Sequence, residues 1–294
     1  MRRKAACAPQ AAAQIIPKIS FSAMSTSYNP QTIAIIGAGK IGEAMIEAMI
    51  DARFFKPEQI LVSARRSKRI EQLEEAYGVR GVSNKEAAAQ ADVSVIAVKP
   101  QLAGQVLPEL APALGPDKLL ISVMAGTTLK QLSDWSGRNC PVIRAMPNTP
   151  LRIRKGMTAL CGSALAEEHH LGFSQAMFNT AGRTQIMDEK LFDAVTGLSA
   201  SGPAFIYIMI EALAEGGVKS GIPRNLATEL AAQACLGSAS MVLETGKHPA
   251  MLKDEVTTPA GCTIDGILKL EEGGIRVTLI KAVEEAARRA KELG

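Results

Sequence analysis

The chain has 294 residues, 33 Lys+Arg, 29 Asp+Glu and a formal net charge of +4. Four of the bases (Arg2, Arg3, Lys4 and Lys18) lie in residues 1–30, which hold no acid, so residues 31–294 set 29 bases against 29 acids. A neutral body excludes a polyanion-binding surface spread over the fold, because nucleic-acid binding rests on an excess of Lys and Arg that neutralises phosphates. At 4% aromatic residues, base-stacking platforms are also excluded. Hydrophobic content of 47% with 21% charged residues reads as a soluble globular chain whose length suits two domains. The longest uninterrupted apolar stretch runs from Ala204 to Ile210, shorter than a membrane span, so no membrane partner is expected.

Cys7, Cys140, Cys161, Cys235 and Cys262 are scattered, odd in number and free of C-x-x-C spacing. That pattern predicts neither a disulfide framework nor a structural zinc, and no metal site is expected. His169 and His170 lie in a polar stretch, His248 precedes Pro249, and all three read as solvated surface.

Residues 1–30 are basic, Ala- and Ser-containing and acid-free, with a second methionine at Met24. They resemble an organellar transit peptide, which would send the protein to a plastid or mitochondrion. A plain tail, or a start at Met24, would leave it cytoplasmic. Residues 31–188 form the first expected domain. Residues 32–37 (TIAIIG) are a β-branched run of buried-strand type, followed by G-A-G-K-I-G over 37–42 and an apolar-periodic stretch through Met45 and Met49. Strand, glycine turn and helix in that order predict dinucleotide binding. Gly37 makes the tight turn, Gly39 admits the pyrophosphate and Gly42 lets helix pack on strand, with Ala38, Lys40 and Ile41 completing the cradle at the helix N-terminus. The next run, residues 59–64, ends in Ser63, Ala64, Arg65, Arg66 and Ser67, where an NAD enzyme places an acid on the ribose. Hydroxyls and guanidinium forks there predict NADPH, with NADH weaker.

Ser83 to Glu86 has capping-box spacing and opens an Ala-rich helix. Further buried runs follow at 92–98, 119–124 and 142–146. Strands alternating with helices predict an α/β fold, a Rossmann-type doubly wound and mostly parallel sheet, whose ligands lie beyond the strands' carboxyl ends. That rule nominates Val98, Lys99 and Pro100, then Ala125 and Gly126, then Asn148, as cofactor-binding residues. From Glu189 onward strand patterns vanish, so residues 189–294 are the second expected domain, wholly α-helical. Segments such as 204–214 and 225–244 are apolar on more than one face. A helical region of about a hundred residues surrounds such helices with difficulty on its own, which predicts a homo-oligomer.

In residues 253–266, hydroxyls at Thr257, Thr258 and Thr263 surround Pro-Ala-Gly just before a helical pattern. Such a loop offers O–H and free N–H donors to a carboxylate. The alternative is an N-cap at Thr263 with ordinary turn chemistry. Residues 253–272, with 36–42, 97–101, 148–150, 195–203 and 215–219, resemble the pyrroline-5-carboxylate reductase family, and the resemblance runs through nearly all of 32–294. Phe205 stands where that family usually carries Tyr, and Thr257-Thr258 where Ser is common.

The resemblance implies reduction of 1-pyrroline-5-carboxylate to L-proline by hydride transfer from NADPH, the last step of proline biosynthesis. It implies a substrate carboxylate held by Thr258 and Thr263 and by the N–H groups of Gly261, Cys262 and Thr263, with Glu189 lining the site and Thr263 as the catalytic candidate. Asn84 would meet the adenine-side ribose and Ala125 would approach the nicotinamide. It further implies an all-α dimerisation domain, an active site shared between subunits, and dimers assembled into decamers. Two other readings stay open: a reductase of another cyclic imine, and an NADP(H)-binding sensor that has kept the fold.

Overall fold

In the computed structural model, which describes residues 28–293, each apolar run becomes a strand buried on both faces. The elements follow in chain order: β1 (Ile33–Ile36), α1 (Lys40–Asp51), β2 (Ile60–Ser63), α2 (Ser67–Tyr77), β3 (Arg80–Gly81), α3 (Asn84–Gln90) and β4 (Val93–Ile96). Next come α4 (Ala103–Leu110), β5 (Leu119–Ser122), α5 (Leu129–Trp135), β6 (Val142–Met146), β7 (Gly156–Gly162), α6 (Glu168–Asn179) and β8 (Gly182–Ile186). The remainder is helical: α7 (Phe192–Val195), α8 (Gly202–Lys219), α9 (Arg224–Thr245), α10 (Pro249–Val256), α11 (Cys262–Glu272) and α12 (Ile275–Leu293). Most of residues 1–30 lies outside the described residues, and the transit-peptide reading with them.

The sheet has the order β3-β2-β1-β4-β5-β6-β7-β8, and every pairing is parallel except β6 with β7. Chain order reverses between β1 and β4, which puts the ligand crevice beyond their carboxyl ends. Side-chain alternation splits β1 between two cores. Ile33 and Ile35 join Met45 and Met49 of α1 and Phe173 and Phe178 of α6, whereas Ala34 and Ile36 join Ala87 of α3, Leu107 of α4 and Leu132 of α5. Burial on both faces is why these strands read as continuous apolar runs.

Three strands escape the sequence reading. β3 has two residues, β7 follows β6 within a glycine-flanked segment, and β8 (GRTQI) is a largely exposed, polar edge strand. An edge strand of that kind carries no alternation to detect. A further correction concerns His170. It is buried, not solvated: it lies on α6 with its ring against Tyr28, and its Nδ1 accepts the Glu167 N–H at 3.0 Å. Burial and the adjacent His169 hold its pKa below the ordinary imidazole value.

Residues 209–273 form one compact unit, and the described residues 28–208 and 274–293 another. This division differs from the chain-order boundary at 188/189, for a packing reason. Phe192 is fully buried with Met146, Ala159 and Cys161. Gly197, in the π-helical turn Thr196–Ala200, lies so close to α12 that an added Cβ would sit 2.6 Å from the Val283 carbonyl oxygen.

In the 209–273 unit the buried core is Ala214, Ala227 and Ala231, flanked by Ile210, Val218 and Ile222. Leu213, Leu230, Leu236, Met241 and Leu243 are exposed. So many apolar side chains on so small a core are what an associating surface leaves uncovered in one subunit. Two helical segments, Glu189–Lys219 and Arg224–Thr245, are long and apolar enough to cross a membrane by length and composition alone, at a mean hydropathy of 1.3. Glu211 and Glu215 lie in the C-terminal third of the first and Glu229 in the N-terminal third of the second.

Candidate active site

The turn after β1 is built for glycine. Gly37 has φ 87°, and a Cβ on it would lie 2.6 Å from Val98 Cγ1 and 2.8 Å from Val98 N. The Gly37 and Ala38 N–H groups both donate to the Ser63 carbonyl at 3.0 Å, tying the turn to the end of β2. Gly39 is the N-cap of α1, with no side-chain cap and only the Gly37 carbonyl oxygen, at 3.9 Å, near where a Cβ would be. Behind it, Lys40, Ile41 and Gly42 present the N–H groups that a first helical turn leaves without intrahelical acceptors, an anion site by geometry and dipole. Gly42 would put a Cβ 2.8 Å from Ile35 Cγ2, so its role is the close packing of α1 on β1.

Beyond the end of β2 opens a cleft of about 510 Å³, lined by Ser63, Ala64, Ser67, Ser83 and Asn84, with Ile70 and Gly81 on its walls. The Ser63 hydroxyl is buried without a hydrogen-bond partner. Asn84 opens α3 behind a complete capping box: Ser83 Oγ accepts the Glu86 N–H at 3.3 Å, and Glu86 Oε2 accepts the Ser83 N–H at 2.9 Å. These bonds from Ser83, backbone first, hold the Glu86 carboxyl below its ordinary pKa. At the other end of α3, Lys118 Nζ donates to the carbonyls of Ala88, Ala89 and Ala91, each at 2.8 Å. Arg65 and Arg66 are exposed, Arg66 as the N-cap of α2, whose first turn has no acid. Ser67 belongs to the segment expected at the ribose phosphate, whereas Ser83 was expected only as a helix cap. Adjacency to Asn84 is the signal that could have found Ser83.

At the other end of the crevice, Val98 contacts the Gly37 turn, Lys99 is exposed, and Pro100 opens a short 3-10 turn. Ala125 packs against the cluster of Met146, Ala159, Cys161 and Phe192, and Gly126 takes φ 73°. Asn148 is committed as a brace: its Nδ2 donates to the Ser199 carbonyl at 3.2 Å, and its Oδ1 accepts the Met157 N–H at 2.9 Å. Glu189 Oε1 accepts from Arg144 Nη1 at 2.8 Å and from the Leu129 N–H at 2.6 Å. Sequence reading passed over Arg144, which sits inside an otherwise apolar strand. Cys161, beside this pair, has its thiol pushed up to about 12, mainly by burial and then by Glu189.

The hydroxyl-rich loop lies in the other compact unit, between α10 and α11. Thr257 Oγ1 donates to the Lys253 carbonyl at 2.8 Å, so this hydroxyl is spent on the end of α10. The Gly261 N–H donates to the Thr258 carbonyl at 3.0 Å and closes the turn internally, which differs from its expected role as a ligand donor. Gly261, not Thr263, is the N-cap of α11, so the alternative of Thr263 as a capping residue does not hold. Cys262 and Thr263 are then the first two helical residues, and their N–H groups have no intrahelical acceptors. Among the described residues, no group of three or more His, Cys, Asp or Glu side chains is placed to hold a metal ion.

Two family models match the chain: one described as pyrroline-5-carboxylate reductase dimerisation over residues 189–293, the other as NADP oxidoreductase, coenzyme F420-dependent, over residues 32–126. A curated pyrroline-5-carboxylate reductase from Glycine max is 44% identical over 263 residues, 89% of this chain and 96% of that protein. The corresponding protein from Escherichia coli (strain K12) is 37% identical over 262 residues, 89% of this chain and 97% of that protein. Among solved structures, a pyrroline-5-carboxylate reductase from Coxiella burnetii superposes with a TM-score of 0.85 at 33% identity, covering 90% of this chain and 99% of that one. The Plasmodium falciparum pyrroline carboxylate reductase, solved with NADP bound, superposes with a TM-score of 0.81 at 31% identity, covering 90% and 98%. With its glycine turn, its mostly parallel sheet and its helical C-terminal half, the chain belongs to the pyrroline-5-carboxylate reductase family.

Proposed function

We propose that this protein reduces 1-pyrroline-5-carboxylate to L-proline with NADPH, the last step of proline biosynthesis. The observation that carries the reading is the loop of residues 257–263, with the Thr258 hydroxyl and the first-turn N–H groups of Cys262 and Thr263 available to a carboxylate, in a chain of this family. The residues present fit NADPH. The Gly39-capped start of α1 offers N–H groups to a pyrophosphate, the unpartnered Ser63 hydroxyl borders the cleft after β2, and Arg65 and Arg66 stand where an acid would repel a 2′-phosphate.

When bound, NADPH supplies the hydride that reduces the C=N carbon. The protein's own work is orientation and electrostatics. Residues 37–42 hold the pyrophosphate, Asn84 meets the adenine-side ribose, and Val98, Lys99, Pro100 and Asn148 shape the crevice. Ala125 and Gly126 approach the nicotinamide. Thr258, Cys262 and Thr263 hold the substrate carboxylate, with Gly261 shaping the turn, and Glu189 lines the site. The ring nitrogen is protonated from water or with help from the Thr263 hydroxyl. Residues 31–188 serve as the cofactor domain and 189–294 as the substrate and dimerisation domain. The exposed apolar helices support a homodimer as the unit, and a decamer of such dimers follows from the family resemblance alone. The basic, acid-free residues 1–30 support delivery to a plastid or mitochondrion, and a chain begun at Met24 would remain in the cytoplasm.

NADPH oxidation with pyrroline-5-carboxylate, its six-membered homologue and the uncarboxylated ring tests the reading. Pyrroline-5-carboxylate should be preferred, and the uncarboxylated ring should react far more slowly. Preference for the six-membered ring would point to another cyclic imine reductase, and no turnover with any of them to a sensor. Removing both guanidinium groups, in Arg65→Ala/Arg66→Ala, should raise the NADPH Michaelis constant about tenfold or more while sparing NADH. An unchanged NADPH/NADH ratio in the double variant would sink the 2′-phosphate assignment.

A further inference from the structure

Arg144 is the one charged residue in the wholly buried strand β6, and its side chain is 4% exposed. Its Nη1 donates to Glu189 Oε1 at 2.8 Å, its Cζ lies 4.7 Å from the Phe192 ring centroid, and its Nε is buried with no hydrogen-bond partner. A buried guanidinium with an unpartnered N–H is costly, and a buried ion pair adds little net stability over apolar side chains of the same volume. Fold stability therefore does not account for the arrangement.

What the pair does is geometric. One oxygen of Glu189 joins β6, through Arg144, to the start of α5, through the Leu129 N–H, and Leu129 follows directly on the turn that carries Ala125 and Gly126. The other oxygen, Oε2, accepts no hydrogen bond among the described residues.

We propose that Arg144 is a positioning residue for the reduction: it holds Glu189 so that Oε2 is presented to the substrate's ring nitrogen, and through Leu129 it steadies the Ala125–Gly126 turn. The proposal rests on the substrate-lining role of Glu189 given above. A carboxylate opposite the ring nitrogen balances the positive charge of the protonated imine, the form that accepts a hydride most readily. Arginine suits the task because its planar group can stack on Phe192 while its N–H donors reach the carboxylate, which a lysine ammonium cannot reproduce.

Steady-state kinetics of R144K, E189Q and the double variant, with pyrroline-5-carboxylate and NADPH varied separately, test the proposal. Wild-type turnover of pyrroline-5-carboxylate is the control for the functional reading, and without it that reading fails and the proposal falls with it. With the wild type active, R144K should lower kcat/KM for pyrroline-5-carboxylate by about tenfold to a hundredfold. The NADPH dissociation constant, read by nicotinamide fluorescence, should stay within about threefold, because the phosphate and adenosine contacts lie elsewhere. The double variant should be no worse than E189Q. Multiplicative losses in the double variant, or R144K kinetics like the wild type, overturn the proposal. E189D keeps the charge but shortens the reach to Arg144, so it should show the R144K loss even if R144K does not fold, and wild-type kinetics in E189D overturn the proposal as well.

Discussion

Gly37→Ala should cost about 2–4 kcal/mol of stability and leave a protein that no longer binds NADPH measurably. Two effects combine. An alanine at φ 87° adopts a left-handed backbone, and its Cβ would lie 2.6–2.8 Å from Val98, partly against backbone, which cannot swing aside. Relief requires the turn to move away from the end of β4. That movement breaks the paired N–H bonds from Gly37 and Ala38 to the Ser63 carbonyl and misaims the start of α1. Thermal melting with and without NADPH checks both parts: a lowered melting temperature and no shift on adding cofactor. A variant that NADPH still stabilises as it does the wild type would show that the turn does not carry the pyrophosphate.

Thr263→Ala should act on the reaction and leave the fold alone. Thr263 is the second residue of α11 and makes no capping bond, and alanine is the better helix former, so the melting temperature should hold or rise slightly. Loss of a hydroxyl that donates to a carboxylate removes about 1.5–3 kcal/mol, roughly 10- to 100-fold in kcat/KM for pyrroline-5-carboxylate. Thr263→Ser should restore most of it, which separates the hydroxyl from the methyl group. Near-wild-type kinetics in the alanine variant would remove Thr263 from the site.

Legibility followed burial. β1, β2, β4, β5 and β6 are covered on both faces and lie where continuous apolar runs predict strands. The polar edge strand β8 and the two-residue β3 give no such signal, because what makes them strands is a neighbour's backbone. The capping box at Ser83 was legible because both of its partners lie within four residues. The Arg144–Glu189 pair was not, since its partners are 45 residues apart and an arginine in an apolar run has no local explanation. His170 misled for the same reason: besides its sequence neighbours Glu167 and His169 it meets the Tyr28 ring, which is remote in the chain and helps to bury it.

Charge divides along the same line. The +4 excess belongs to residues 1–30, and the body is neutral, so on the function proposed above cofactor recognition would rest on a few placed groups such as Arg65 and Arg66. From sequence alone came the Rossmann-type half, its glycine turn, the hydroxyl-rich loop and the family, because each is written in contiguous residues whose spacing is its own mechanism. Tertiary structure alone decided that Gly261 spends its N–H inside the turn, that Asn148 braces two backbones, that α12 packs on the 196–200 turn, and that Glu189 is held by a buried arginine. Each of these is a contact between groups whose partner is chosen by packing, and packing is a property of the assembled chain, not of any window along it.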